Sequence, residues 1–317
     1  MAGRVISTAE PYYIVAIAPL LLFPAFHPSW TAAALVSLPG APDQGINPNQ
    51  LAGALVLYLP VVLGLALNCS RERRPVPAAI LAAAGLAGAA TLIITHSRAG
   101  WVGFGASLSA LAVLWALVEN GKRVRVIVLG LAAAALVGGL ITGILFLPSI
   151  LAGGASDVVA GSQMGEVVQQ LSLESRVEIW SRALYALQDF PFTGVGLGTF
   201  RRVVNLLYPL FLTPPDTDIG HAHNVFLQAG VDLGLGGLVA YLALVFIAGV
   251  TGWQVARKTG GLVRPVAVGL VAALIGYHVY GMADALALGS KPSVILWMIL
   301  GLIAALANRH GERAWAS

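Results

Sequence analysis

The chain is poor in charged residues and has almost no cysteine. Only 10% of its 317 residues are charged, whereas about a quarter are charged in a typical soluble domain. So little charge cannot cover a water-exposed surface, which excludes the ordinary soluble classes of protein. The single cysteine, Cys69, excludes an intrachain disulfide and a cysteine-based metal cluster.

Apolar residues are abundant and are arranged in long uninterrupted blocks. They make up 58% of the chain, and its mean hydropathy is +0.83. Blocks of about 20 apolar residues are typical of transmembrane helices. We therefore predict an all-α polytopic membrane protein, with residues 1–317 in a single integral membrane domain. The eight predicted spans cover roughly residues 12–38, 49–68, 78–95, 100–118, 124–147, 223–252, 264–283 and 292–308.

The basic residues indicate how the spans are oriented. They form short clusters between apolar blocks, and eight crossings place the clusters on one side, which the positive-inside rule assigns to the cytoplasm. The net charge of +4 is therefore a topology signal and not a sign of nucleic acid binding. We expect both termini in the cytoplasm and one large extracytoplasmic loop, residues 148–222. The clustered residues are Arg4, Arg71, Arg73, Arg74, Lys122, Arg123, Arg125, Arg257, Lys258, Arg264, Arg309 and Arg313.

Arg98 lies in a tight hairpin between two predicted spans, on the side opposite the basic clusters. A charge at membrane depth is costly and usually functional, and a guanidinium group can bind phosphate through two parallel hydrogen bonds. Arg98 is therefore a candidate anion ligand. The alternative is an arginine that extends to the lipid headgroups beside the interfacial Trp101.

The outer loop is predicted to contain one amphipathic helix. Ser175 and Glu178 have the spacing of a capping box, so the helix is predicted to start there and to end near Pro191. Arg176 falls in the middle of the apolar face, which faces whatever the helix packs against. The alternative is that the first turn frays and Arg176 reaches solvent. The apolar face contains Val177, Ile179, Trp180, Ala183, Leu184 and Leu187, and the opposite face contains Glu178, Arg182, Tyr185 and Asp189.

Two histidines, His221 and His223, lie at the start of the sixth predicted span. Histidine is the side chain best suited to proton transfer near neutral pH, so His223 is a candidate general base. Two alternatives stay open: a polar cap on the helix, and a metal site formed with Asp216 and Asp218. The spacing matches no recognisable zinc motif, so we expect no metal ion and no cofactor.

In four segments the sequence resembles the O-antigen ligase and polymerase family of bacterial envelope glycosyltransferases. Each segment alone is a weak signal, but their order, spacing and membrane side together are fairly specific, over roughly residues 47–250. Family members usually have more spans before the first segment, so we expect this chain to be short there. The segments are Asn47-Pro48-Asn49-Gln50-Leu51-Ala52-Gly53, Ser97-Arg98-Ala99-Gly100-Trp101, Arg176 to Phe200 with its Gly194-Val195-Gly196-Leu197-Gly198 turn, and His221-Ala222-His223-Asn224.

The resemblance implies transfer of a glycan from undecaprenyl diphosphate at the outer face of the bacterial inner (cytoplasmic) membrane. It implies metal-independent catalysis, with Arg98 and Arg176 on the donor diphosphate and His223 as the base. His221, Asn224 and Arg201 are the candidate substrate-binding residues. The implied partners are a lipid-linked glycan donor, the lipid bilayer, and a glycan, lipid or protein acceptor.

Other functions stay open at this point. A polymerase, in which the acceptor is another lipid-linked glycan, would have the same signature. A transporter or flippase would be expected to carry charges at mid-membrane and helices broken in matched halves. Asp232 and Asp284 instead lie near span ends, and no inverted repeat is visible. A non-catalytic membrane scaffold would keep its function after His223→Ala.

Overall fold

The computed structural model describes residues 47–118, 126, 163–212, 219–286, 288 and 293–315. Within these residues it contains helices and no strand, which confirms the predicted all-α class. The described helices are α1 (Pro48–Arg71), α2 (Pro75–Ile94), α3 (Arg98–Val118), α4 (Gln163–Asp189), α5 (Phe200–Leu207), α6 (Val225–Lys258), α7 (Val263–Tyr280) and α8 (Val294–Trp315).

Five helices of the described part are long and apolar enough to cross a membrane: α1, α2, α3, α6 and α7. A shorter apolar segment, Val294–Arg309, forms most of α8. These six helices correspond to six of the eight predicted spans. The spans predicted over residues 12–38 and 124–147 lie outside the described residues, apart from Val126. The chain is an all-α polytopic membrane protein, and the predicted orientation of its spans stays a prediction.

The chain divides into two compact units. The first unit contains the residues up to Leu111, Ala248–Tyr280 and the residues from Val294 onward. The second unit contains Ala112–Ile247 and Gly281–Ser293. The single membrane domain with a large outer loop, predicted above, stays a prediction.

Glycines let the helices of the first unit approach closely. A β-carbon on Gly269 of α7 would lie 2.7 Å from Val61 Cα of α1, and one on Gly276 would lie 2.5 Å from Ser107 Cβ of α3. Small residues at such positions allow van der Waals contact between backbones, which drives helix association in lipid because burial from water contributes little there. The Tyr280 hydroxyl also donates a hydrogen bond of 2.7 Å to Asn49 O. These contacts hold α7 against α1 and α3.

α6 is broken near its start. Gly234 has φ 72° and ψ −177°, which interrupts the helical hydrogen bonds. The turn that follows α4 packs against the break and supplies partners for the freed backbone groups. Three bonds make this contact: Val195 N to Val231 O at 2.7 Å, Gly196 N to Asp232 O at 3.1 Å and Leu235 N to Pro191 O at 2.7 Å.

α4 begins earlier than the sequence predicted. The helix starts at Gln163, so Ser175 lies inside it and the capping-box prediction was wrong. Residues 163–175 contain no proline and only one glycine, and their glutamine, glutamate and leucine residues are good helix formers. The helix therefore continues through a serine that would act as a cap only where the preceding chain is not helical. The end of α4 at Asp189, before Pro191, agrees with the prediction.

The faces of α4 also differ in part from the prediction. Ile179 is buried as predicted, but Val177 and Leu184 are exposed and Glu178 is buried. The carboxylate of Glu178 accepts hydrogen bonds from the backbone N–H groups of residues 211 and 212, at 2.7 and 3.0 Å. The chain after α5 thus folds over the face predicted to be solvent-exposed, and the buried carboxylate satisfies its N–H groups.

Candidate active site

Asn224 fixes the histidine segment to the start of α6. Its Oδ1 accepts hydrogen bonds of 3.0 Å from the N–H groups of both Phe226 and Leu227, which are among the unpaired donors of the first helical turn. Just before it, His223 has a positive φ of 48°, a conformation that is uncommon outside glycine and costs energy. The cap that the sequence left open as an alternative is therefore formed by Asn224, and His223 is held in a strained turn beside it.

The segment after α7 is tied to the same place. Asn224 Nδ2 donates a hydrogen bond of 2.9 Å to Met282 O, and Val225 N donates one of 2.7 Å to Gly281 O. These two bonds bring Asp284 to the histidines. The Nδ1 atom of His223 lies 3.1 Å from Asp284 Oδ1, although the residues are 61 positions apart in sequence.

Asp284 is a buried carboxylate, with only 1% of its side chain exposed. Burial alone would raise its pKa, but the hydrogen bond with His223 and the charges of His223 and His221 outweigh burial and hold the pKa below its usual value. Its Oδ1 also accepts a hydrogen bond of 2.8 Å from Ala285 N. Asp284 therefore stays ionised and can hold a proton on the facing nitrogen of His223.

α4 carries Arg176 to the same carboxylate. Arg176 Nη2 lies 3.6 Å from Asp284 Oδ2, and the arginine side chain is only 24% exposed. One turn along α4, the indole N–H of Trp180 donates a 3.4 Å hydrogen bond to His223 O. The structure thus brings Arg176 and His223 to one aspartate, which the sequence analysis had not included in the site.

His221 lies against His223, with ring centroids 4.3 Å apart and an angle of 56° between the rings. Its Nδ1 accepts a hydrogen bond of 3.2 Å from His223 N. Burial, followed by the charge of His223, lowers the pKa of His221 to about 4, although Asp284 acts in the opposite direction. His221 is therefore neutral at pH 7, which leaves its Nδ1 lone pair available to hold the backbone of His223.

Arg201 lines a cavity of about 320 Å³ at the start of α5. Its Nη2 passes 3.2 Å from where a β-carbon on Gly220 would lie, next to His221. The cavity is lined by Gly198, Thr199, Arg201, Arg202 and Gly220. Of the predicted substrate-binding residues, Arg201 thus faces an open cationic cavity, whereas Asn224 is engaged in capping α6.

Arg98 is the first residue of α3, in the first unit, and its side chain is exposed. Ser97 Oγ accepts a hydrogen bond of 3.3 Å from Gly100 N at this helix start, and the Trp101 indole N–H donates one of 3.1 Å to Leu92 O of α2. The predicted tight hairpin between two spans is present. The role of Arg98 as an anion ligand stays a prediction.

The sequence of this chain matches known proteins over much of its length. The family described as O-antigen ligase matches residues 81–242. The chain belongs to the O-antigen ligase family. It is 26% identical over 290 residues to an O-antigen ligase of Pseudomonas aeruginosa, an alignment that covers 84% of this chain and 61% of that relative. The chain thus spans about three fifths of the length of the curated relative that it matches.

Within this O-antigen ligase family chain, the histidine pair and Asp284 could act in two ways. A donor atom from each of the three side chains lies within 4.8 Å of the others, so the cluster could hold a metal ion. Asp216 and Asp218, the acidic ligands considered from sequence, lie outside the described residues. The other arrangement is a general base oriented by a carboxylate, which the 3.1 Å contact between His223 and Asp284 supports directly.

Asp284 is the site residue that sequence reasoning missed. It was noted only as a charge near a span end. Ionisable residues within membrane segments are rare and usually functional, but a position four residues after an apolar helix carried only a weak signal of this kind. Its partner His223 could not be identified from sequence, because the contact between Asp284 and His223 depends on hydrogen bonds between segments about 60 residues apart.

Proposed function

We propose that this chain is a membrane glycosyltransferase of the ligase type. It moves a glycan from undecaprenyl diphosphate to an acceptor hydroxyl at the outer face of the inner membrane. The observation that carries the proposal is the contact of 3.1 Å between His223 Nδ1 and the buried Asp284, with Arg176 on the other oxygen of the same carboxylate. Membership of the O-antigen ligase family supports the reaction class.

His223 is the general base in this proposal. Asp284 accepts the hydrogen on Nδ1, which leaves the Nε2 lone pair to take the proton from the acceptor hydroxyl. As the hydroxyl oxygen forms its bond to the anomeric carbon, the bond from that carbon to the diphosphate oxygen breaks. The proton resides on His223 as an imidazolium, which the ionised Asp284 stabilises. Asp284 is thus a positioning residue, because it acts through His223.

Arg176 is proposed to stabilise the leaving diphosphate. Negative charge builds on the diphosphate as the glycosidic bond breaks, and a guanidinium already held in place lowers the energy of that state. The 3.6 Å ion pair with Asp284 places Arg176 beside the base, so the group proposed to bind the diphosphate and the base share one carboxylate. Arg98 is proposed as the second diphosphate ligand, and Arg201 in the cavity beside His221 as a substrate-binding residue.

The test is release of undecaprenyl diphosphate by the purified full chain in detergent. The reaction contains a synthetic undecaprenyl-diphosphate oligosaccharide, a panel of acceptors and EDTA, and compares wild type with Arg98→Ala, Arg176→Ala and His223→Ala. We expect acceptor-dependent release that survives EDTA. Loss of a positioned general base lowers turnover by about 10²- to 10⁴-fold, and His96→Ala, an exposed histidine in the first unit, serves as the matched control.

The products separate this function from the alternatives. Transfer to a new acceptor supports the ligase, whereas lengthening of the lipid-linked glycan without such transfer supports a polymerase. Counterflow of substrate in proteoliposomes without a covalent product would support a transporter. Unchanged release by His223→Ala, or donor binding unaffected by both arginine substitutions, would overturn the proposed roles.

A further inference from the structure

The cluster of His221, His223 and Asp284 has the composition of a transition-metal site. Two imidazoles separated by one residue, with their ring centroids 4.3 Å apart, converge on one carboxylate. One donor atom from each side chain lies within 4.8 Å of the other two. Two imidazole nitrogens and a carboxylate oxygen form a donor set that Zn²⁺ and similar divalent ions bind, with a fourth position left for water.

A second observation at this place also indicates a ligand. Asp284 Oδ2 is fully buried, and no donor among the described residues makes a hydrogen bond to it. The nearest cation, Arg176 Nη2, is 3.6 Å away, beyond hydrogen-bonding distance. A buried carboxylate oxygen without a hydrogen bond is costly. This oxygen therefore has lone pairs that coordination to a cation would satisfy.

We propose that His221, His223 and Asp284 bind a zinc-like divalent ion. Once bound, this ion blocks glycan transfer, because it occupies the general base His223. The binding itself does not depend on the proposed function, but the inhibition rests on it. An ion coordinated by His223 occupies either the ring nitrogen that would take the proton or the side of the ring that contacts Asp284. The base requires both. The ion is an inhibitor of the reaction and has no part in bond making.

Two features of the cluster oppose binding of an ion: the spacing of the donor atoms and the charge of Arg176. Zinc-to-nitrogen distances of about 2.1 Å in a tetrahedral site place the donor atoms roughly 3.4 Å apart. The cluster must therefore contract from the present 4.8 Å limit, and a ligand at His221 Nδ1 would have to release the 3.2 Å hydrogen bond from His223 N. Arg176 opposes the ion by charge repulsion. Replacement of Arg176 by glutamine should therefore tighten metal binding, whereas it should weaken binding of the lipid-diphosphate donor.

The binding test uses the purified full chain in detergent and Zn²⁺ alone. Isothermal titration calorimetry should give one ion per chain, and Co²⁺ should give the visible absorption of a four-coordinate site. His221→Ala and Asp284→Asn should each weaken Zn²⁺ binding by about tenfold or more. Arg176→Gln should strengthen it by roughly fivefold. His96→Ala is the matched control and should bind as wild type does, because His96 is an exposed histidine of the first unit.

The inhibition test adds Zn²⁺ to the glycan-transfer reaction and then removes it with EDTA. We expect release of undecaprenyl diphosphate to fall with Zn²⁺ and to recover with EDTA, and the residual activity of His221→Ala to lose its sensitivity to Zn²⁺. Binding that His221→Ala and Asp284→Asn both leave at wild-type strength would overturn the site. Activity that EDTA abolishes and Zn²⁺ restores would overturn the inhibitory role. A chain that binds Zn²⁺ but transfers no glycan contradicts only the proposed function.

Discussion

The contact between α1 and α7 and the contact between His223 and Asp284 are built in opposite ways. The first unit brings its helices together through glycines and apolar side chains, with Gly269 against the backbone of Val61. The second unit assembles its site from one strained turn at His223, a buried charge at Asp284 and the hydrogen bond between them. In the first unit the size of a side chain decides whether two helices can approach, and its polarity matters little. In the second, a single donor or acceptor decides whether the groups meet.

The largest effect should come from Asp284→Asn, which disrupts the polar region and leaves the apolar one unchanged. The amide cannot accept the Nδ1 hydrogen in the same way or stabilise the imidazolium, so turnover should fall by about 10²-fold or more. The measurement is a pH–rate profile with wild type, because a loss of positioning shifts the pH dependence as well as the rate. Tyr280→Phe, which removes the hydrogen bond to Asn49 O in the first unit, is the control and should leave the pH profile unchanged.

The apolar region should be most sensitive to volume. In Gly269→Val the new side chain would meet the backbone of α1, since even a β-carbon lies 2.7 Å from Val61 Cα. We expect destabilisation of about 1–3 kcal/mol, seen as a lower thermal transition in detergent. Gly301→Ala of α8 is the matched control, because no described residue outside its own helical turn comes within 4 Å of a β-carbon placed there. Equal stability of the two variants would contradict close packing of α7 on α1.

Acid should act on the polar site of the second unit, which contains His221, and not on the apolar packing of the first unit. The pKa of His221 is lowered to about 4 from 6.5, so the unfolded chain binds the proton more readily than the folded one. Stability should therefore be complete above pH 6.5 and should fall as the pH drops toward 4, by about 2 kcal/mol at pH 5. Thermal unfolding at pH 7.5 and pH 5, with His221→Gln as the comparison, measures this loss. A wild type and a variant that lose equal stability at pH 5 would assign the effect to other groups.

The smallest effect is expected for Trp180→Phe. The indole N–H makes a long hydrogen bond of 3.4 Å to His223 O, which contributes about 1 kcal/mol or less. We expect turnover to fall by only a fewfold, because Asn224 still holds the segment at α6. A loss as large as that of Asp284→Asn would show that α4, and not the cap of α6, positions the base.

The same contrast explains what the sequence could predict. Six helices were predicted at the right places because a run of about 20 apolar residues is sufficient to indicate a span. His223 and Arg176 were recognised as candidates because their residue types suit the chemistry. Asp284 was not, because its pairing depends on Asn224 and Val225 contacting residues 281 and 282. The start of α4 was mispredicted for a related reason: a local capping pattern does not reveal whether the preceding chain is already helical.

The break at Gly234 divides the length of α6 between two tasks. From Leu235 to Lys258 the helix rises by about 36 Å, which alone exceeds the hydrocarbon thickness of about 30 Å. The turns before Gly234 are therefore not required to cross the bilayer. They act as a spacer of about 15 Å between the break and the capped end that holds His223. A change in the length of the helix after Gly234 would therefore leave the spacer intact, because its bonds to the turn after α4 lie on the near side of the break and at Leu235 itself.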